Sequence, residues 1–95
     1  IDNVVQANLL AASVPAAAGL TFNVGSGQAT SLLDMLAQLQ AILGTKLPPI
    51  FAPARIGDVR DSLADISRAR DVLGYQPAVD LSEGLRRTVA AMTRA

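Results

Sequence analysis

Apolar residues return every three or four positions in three stretches of this chain, and short apolar runs bounded by glycine and proline lie between them. That pattern predicts helices alternating with short extended segments. In IDNVVQANLLAAS, residues 1–13, Val5, Leu9 and Ala12 recur at helical spacing, and Val4, Ala7 and Leu10 widen the stripe. Asp2 is expected as the N-cap, because its carboxylate can accept from free N–H groups of the first turn. Pro15 should end the helix, since it has no N–H to donate and clashes with the preceding turn. Ala16 to Gly19 then read as a linker of small residues.

LTFNVGSG, Leu20 to Gly27, sets β-branched and aromatic residues before two glycines, the pattern of a short strand running into a turn. TSLLDMLAQLQAILG follows as a helix, with Thr30 or Ser31 as cap and Gly44 as stop. Its wide apolar face comprises Leu32, Met35, Leu36, Leu39, Ile42 and Leu43. A second extended segment is expected at Ile50 to Ala52, bracketed by prolines. Strand, helix and strand at this spacing predict a βαβ unit with parallel strands and a right-handed crossover.

DISRARDVLG should form a short helix capped by Asp65 and ended by Gly74. In DLSEGLRRTVAAMTRA, Asp80 and Glu83 stand at the two positions of a capping box, and Leu85, Val89 and Met92 line one face. The expected fold class is therefore α/β. It is one small, mostly helical domain, residues 1–95, containing a βαβ unit of short parallel strands, with no internal repeat.

Composition changes this picture in one respect. Hydrophobic residues make up 51% of the chain and charged ones 17%, and the mean hydropathy is +0.35. A domain of this length buries only roughly 62–65% of its unfolded surface, so it has little interior for so many apolar residues. Either an apolar face is covered by something outside the chain, or this is an ordinary alanine-rich domain. The first residues already form a helix pattern, with no initiator Met and no leader, which reads as a piece of something longer.

The formal net charge is zero, so nothing points to nucleic acid or an anionic membrane. Cysteine and histidine are absent, which excludes disulfides, thiol chemistry and the commonest base and metal ligand. No run approaches the roughly 18 apolar residues of a membrane span. A cytoplasmic protein is the default expectation.

Two places could carry chemistry. The Gly25-Ser26-Gly27 turn lies between a strand and a helix, where phosphate can be cradled. It lacks the third glycine of a dinucleotide fingerprint and the Gly-Lys-Ser/Thr of a P-loop. It reads as a tight turn or as a direct ligand contact. Tyr75 and Lys46, each the sole residue of its type, lie past different helix ends and cannot form a Tyr-x-x-x-Lys pair. Tyr75 is expected to pack its ring beneath the Gly74 cap. The other place is the loop in which Arg55, Asp58, Arg60 and Asp61 surround Gly57. An arginine fork matches phosphate bidentately, and a nearby carboxylate can accept from ribose hydroxyls. The same residues also suit a solvated loop with internal ion pairs.

FNVGSGQATSLLDML followed by ARIGDVRDSLADISRARDVLGYQPAVDLSEGLRRTV resembles the C-terminal part of the extended short-chain dehydrogenase/reductases. Within these it is most similar to the NAD-dependent nucleotide-sugar epimerases of the UDP-glucose and UDP-N-acetylglucosamine 4-epimerase type. IDNVVQANLLAA is similar to their preceding helix, so the resemblance spans nearly the whole chain. The ordered pattern RxGDVR, AD, LGYxP, LxEGL is specific to the superfamily and less so to one reaction within it.

The resemblance implies that Arg55 contacts a nucleotide diphosphate and Asp58 the ribose, while Arg60 supports the phosphate or the loop. Seven residues after Arg55, Ser62 falls where the family lines the pocket beside the sugar C2 substituent. A serine there implies room for an N-acetyl group. The implied ligand is a UDP-sugar or a related nucleotide-sugar. The Rossmann half, with its NAD-binding loop, catalytic Ser/Thr and Tyr-x-x-x-Lys, has no counterpart here. NAD and catalysis are therefore assigned to that N-terminal half, which becomes the implied partner, and this chain alone is expected to be inactive. A homodimer is also implied, through helices of the same half. The tail alone does not separate epimerases from 4,6-dehydratases, decarboxylases or 4-keto reductases, and a non-catalytic α/β interaction module remains a further reading.

Overall fold

The computed structural model describes residues 1–94. Three helices of equal length form, α1 over Asp2–Ser13, α2 over Leu32–Leu43 and α3 over Leu81–Met92. Between α2 and α3 the chain makes a short helical stretch whose second half is the π turn Ala69–Leu73. The mostly helical expectation therefore holds.

The stops fall where local chemistry requires them. Helix α1 ends at Val14, immediately before Pro15. Gly44 closes α2 and Gly74 closes the π turn, both left-handed, with φ of 70° and 69°. Only glycine adopts that conformation without a Cβ penalty. The Ser31 hydroxyl caps α2 by accepting from the Asp34 N–H at 3.0 Å.

Several expectations are corrected. Ile1, not Asp2, occupies the N-cap of α1, without a side-chain cap. Asp2 instead lies in the first turn and accepts from Arg87 Nη1 at 2.6 Å. Only half of the capping box forms at α3. Asp80 accepts from the Glu83 N–H at 2.8 Å, but the Glu83 carboxylate accepts from Arg86 and Arg87. Two guanidinium donors outcompete one backbone N–H for a charged acceptor. The small-residue linker contains a 3-10 turn, Pro15–Ala17, and buries Ala17.

No strand forms among the described residues. Leu20–Gly27 and Ile50–Ala52 run without helix, and no backbone hydrogen bond joins them. A strand exists only through its ladder, and two short segments gain too little to pair alone. Ile50 and Phe51 lie 97% and 79% exposed, with no neighbour to cover them.

The small core contains Ala7 of α1, Ala17, Ala69 and Leu73 of the π turn, and Tyr75. Leu10, Val14, Phe22, Ile66 and Val72 pack around it. Helix α1 and the 3-10 turn thus seat on the π turn, while α2 packs against α3. No residue of α2 or α3 is fully buried.

The radius of gyration is 16.6 Å, against roughly 12–13 Å for a compact domain of this length. The accessible surface is 7740 Å² for 9.8 kDa, where a self-contained globule would show roughly 5,200 Å². The surplus, on the order of 2,600 Å², is about three times what one partner buries in a standard interface. It includes Leu9, Leu32, Leu33, Leu47, Ile56 and Val59. The apolar composition thus reflects uncovered faces and not merely alanine.

Candidate functional site

From Leu47 to Asp65 the chain has no helix, and its one tight turn is at Ile56 and Gly57. Gly57 adopts a φ of 88°, and the Asp58 N–H donates to the Arg55 carbonyl at 3.2 Å. A side chain at Gly57 would strain this turn. The turn brings Arg55 and Asp58 together, with Nε donating to Oδ2 at 3.2 Å. Their side chains are 86% and 55% exposed, so the pair contributes at most about 1 kcal/mol. Only Nε is engaged. Both terminal nitrogens of the Arg55 guanidinium lack a protein partner among the described residues, leaving the edge that would grip a phosphate open.

Arg60 and Ser62 stand elsewhere on the loop. They line an open hollow of about 770 Å³ together with Thr30, Ser31 and Leu32 at the start of α2. Ser62 also borders a neighbouring hollow shared with Asn3, Ser26 and Gln28. The four expected site residues thus form two pairs: Arg55 with Asp58 on the turn, and Arg60 with Ser62 against α2.

Both ends of the loop are anchored: Leu47 exchanges two hydrogen bonds with the Gln40 side chain, at 2.7 and 2.8 Å, and local bonds hold the C-terminal end. Asp65 accepts from the Ser67 N–H at 2.9 Å and from the Ser67 hydroxyl. These bonds hold its carboxyl below the usual carboxylate range. The first helical acceptor is the Ile66 carbonyl, which takes the Arg70 N–H at 3.0 Å, so Asp65 does not cap the helix as expected but closes a local turn one residue before it.

The glycine turn packs against this anchor. A Cβ on Gly25 would stand 3.4 Å from the Ala64 Cβ, and one on Gly27 would stand 3.0 Å from Ile66 Cδ1. Gly27 also has a φ of 76°. Close approach and positive φ account for Gly27, while a side chain at Gly25 would meet only an ordinary contact. Ile66 fills the space beside Gly27, so these residues do not fit a dinucleotide, and the start of α2 is already occupied by its Ser31 cap.

Three side chains beyond the expected set organise the region. The Tyr75 hydroxyl donates to the Gly25 carbonyl at 2.8 Å, and the residue has no exposed surface. Burial pushes its phenol pKa up. Arg68 Nη1 donates to the Thr21 carbonyl at 3.1 Å. The Asn3 amide donates to the Val79 carbonyl at 2.8 Å and accepts from the Ala78 and Val79 N–H groups at 3.0 and 3.1 Å. The only available signal for Tyr75 was its position just past a helix-ending glycine. Asn3 offered none.

Among the described residues no group of three or more acidic side chains converges as a metal site. Among the same described residues no helix is long and apolar enough to cross a membrane.

No protein-family model matches the chain. It is 44% identical over 89 residues to a UDP-glucose 4-epimerase of Mycolicibacterium smegmatis, a match covering 94% of this chain and 28% of that protein. It is 36% identical over 85 residues to a dTDP-L-rhamnose 4-epimerase of Burkholderia thailandensis, covering 90% of this chain and 23% of that one. The crystal structure of a UDP-glucose 4-epimerase of Thermotoga maritima, solved with UDP-glucose, superposes with a TM-score of 0.88 at 40% identity. That match covers 96% of this chain and 29% of the solved one. The chain thus spans between 23% and 29% of the length of these relatives.

Proposed function

We propose that this chain, a homologue of the C-terminal region of the nucleotide-sugar 4-epimerases, is the part of such an enzyme that grips the nucleotide-sugar. The carrying observation is the whole-chain likeness, in sequence and fold, to a UDP-glucose 4-epimerase solved with UDP-glucose. The free guanidinium edge of Arg55 would hold the diphosphate bidentately. Asp58, three residues on, would accept from the ribose hydroxyls while Arg60 supports the phosphate or the loop. Ser62 would leave space beside the sugar C2 substituent. None of these side chains is a catalytic base.

Chemistry at the sugar would belong to an N-terminal half that binds NAD, so this chain alone would be inactive. The surplus surface supports such a partner, because a covering body of core-like extent is what the exposed faces lack. A second reading, a dTDP-sugar in place of a UDP-sugar, is favoured by the match to the rhamnose epimerase.

The test is calorimetric titration of the full-length protein containing this segment with UDP-glucose, UDP-N-acetylglucosamine, UDP and a dTDP-sugar. Arg55→Ala should weaken every nucleotide diphosphate by about ten- to a hundred-fold, the worth of a charged hydrogen-bonding group. Equal affinities with and without Arg55 would instead favour a non-catalytic interaction module.

A further inference from the structure

The loop that carries Arg60 and Ser62 has no helix or ladder of its own from Leu47 onward, so its placement depends on what its ends touch. At the C-terminal end that contact is the glycine turn, with Gly25 against Ala64 and Gly27 against Ile66. Ser26 stiffens the turn, its hydroxyl accepting from the Gln28 N–H and donating to the Gln28 carbonyl, both at 3.3 Å. Tyr75 reaches the turn from just past the C-terminal end of the short helical stretch, and its hydroxyl donates to the Gly25 carbonyl at 2.8 Å. A phenylalanine would fill the same buried space, so the hydroxyl is needed only for that carbonyl.

We infer that Tyr75 is a positioning residue for the sugar-nucleotide grip. Its hydroxyl holds the Gly25–Gly27 turn, the turn seats Ala64 and Ile66, and that seat sets where Arg60 and Ser62 stand. Ser62 lies only two residues before Ala64. Extended backbone advances about 3.3 Å per residue, so a displaced seat carries the serine with it. Arg68 adds a parallel tie to Thr21 at 3.1 Å, so losing the Tyr75 hydroxyl should loosen the loop end without unfolding the core. The inference rests on the proposed nucleotide-sugar function.

The experiment compares Tyr75→Phe with the parent in the full-length protein, with Arg55→Ala alongside. Backbone 15N order parameters over residues 60–66 read the structural link without any nucleotide. The KM and kcat for UDP-glucose read the grip. The expected result is lower order parameters at 60–64, with KM raised about five-fold and kcat changed less than two-fold. A purely structural role would reduce the active fraction, lowering apparent kcat at constant KM, and that result overturns the inference. Unchanged order parameters at 60–64 also overturn it. If the parent neither binds nor turns over UDP-glucose, and Arg55→Ala makes no difference, the functional reading itself fails and takes the inference with it.

Discussion

The Tyr75 hydroxyl donates to the carbonyl of Gly25 at 2.8 Å, across fifty positions of sequence. It joins the end of the π turn to the glycine turn, and its ring is fully buried in a core otherwise made of alanines and one leucine. A buried side chain of this kind is worth roughly 1.5–3 kcal/mol, a large share of what so small a core can supply.

That burial predicts an alkaline transition. Tyr75 is the only tyrosine and tryptophan is absent, so absorbance at 295 nm follows this one phenol. Its folded-state pKa is raised by burial, while the unfolded value is about 10. Stability from the neutral phenol is therefore complete below about pH 10 and is lost as pH rises through the folded value. The expected outcome is a titration midpoint above 10, with the far-ultraviolet signal falling in step. Ordinary titration near 10 with the helices intact would contradict the buried assignment.

The N-terminus of α3 predicts the opposite acid behaviour. Hydrogen bonds from Arg86 and Arg87 hold the Glu83 carboxyl below its ordinary range. A depressed carboxylate stabilises the fold above its unfolded pKa, about 4.3, and that contribution is lost as pH falls through the lower folded value. Helix content should therefore decline on acidification below about pH 4. In Glu83→Gln this component should be missing, and identical acid profiles for the two proteins would remove Glu83 from the account.

Asn3 predicts a stability effect at a distance. Its three hydrogen bonds bind α1 to Ala78 and Val79, and removing them leaves part-buried backbone groups unpaired. Asn3→Ala should cost about 2 kcal/mol. Asn8→Ala, on an exposed face of the same helix, should stay within about 0.5 kcal/mol. Urea midpoints compare the two directly, and equal shifts would mean the Asn3 tie contributes nothing.

Ser62 predicts substrate range. On the proposed function, Ser62→Tyr in the full-length protein should abolish activity on UDP-N-acetylglucosamine while leaving activity on UDP-glucose largely intact, because the added ring would take the space proposed for the N-acetyl group. Loss of both activities, or of neither, would remove Ser62 from the pocket.

The surplus surface predicts poor behaviour in isolation. The 95-residue chain should bind 8-anilinonaphthalene-1-sulfonate and elute from gel filtration above the position of a 9.8 kDa globule. A compact, dye-silent monomer would show that the exposed leucines of α2 and the Leu47–Leu63 loop need no cover.

The helices were legible in the sequence because their information is local. Pro15, Gly44 and Gly74 ended the helical segments at the expected places, and the α2 cap fell on Ser31, one of the two residues expected there. Each of these effects acts within one turn of backbone. Internal ion pairing was one of two readings of the Arg55–Asp61 loop, and the structure shows Arg55 paired with Asp58 across the Gly57 turn. The apolar excess left open uncovered faces or plain alanine content, and the exposed Leu, Ile and Val side chains decided for the former.

What needed tertiary structure was every choice between competing partners. Asp2 could cap its own helix or meet Arg87, and the chain's return to α1 decided for Arg87. Glu83 could complete a capping box, but two adjacent arginines took it. Leu20–Gly27 and Ile50–Ala52 carry strand composition, yet neither finds a ladder partner among the described residues, and composition cannot supply one. The bonds of Asn3 to Val79 and of Tyr75 to Gly25 span most or half of the chain. Sequence determined which local structures could form, through short-range sterics and capping. Only the fold decided which distant donors and acceptors met, because a hydrogen bond acts over about 3 Å and only packing brings distant groups that close.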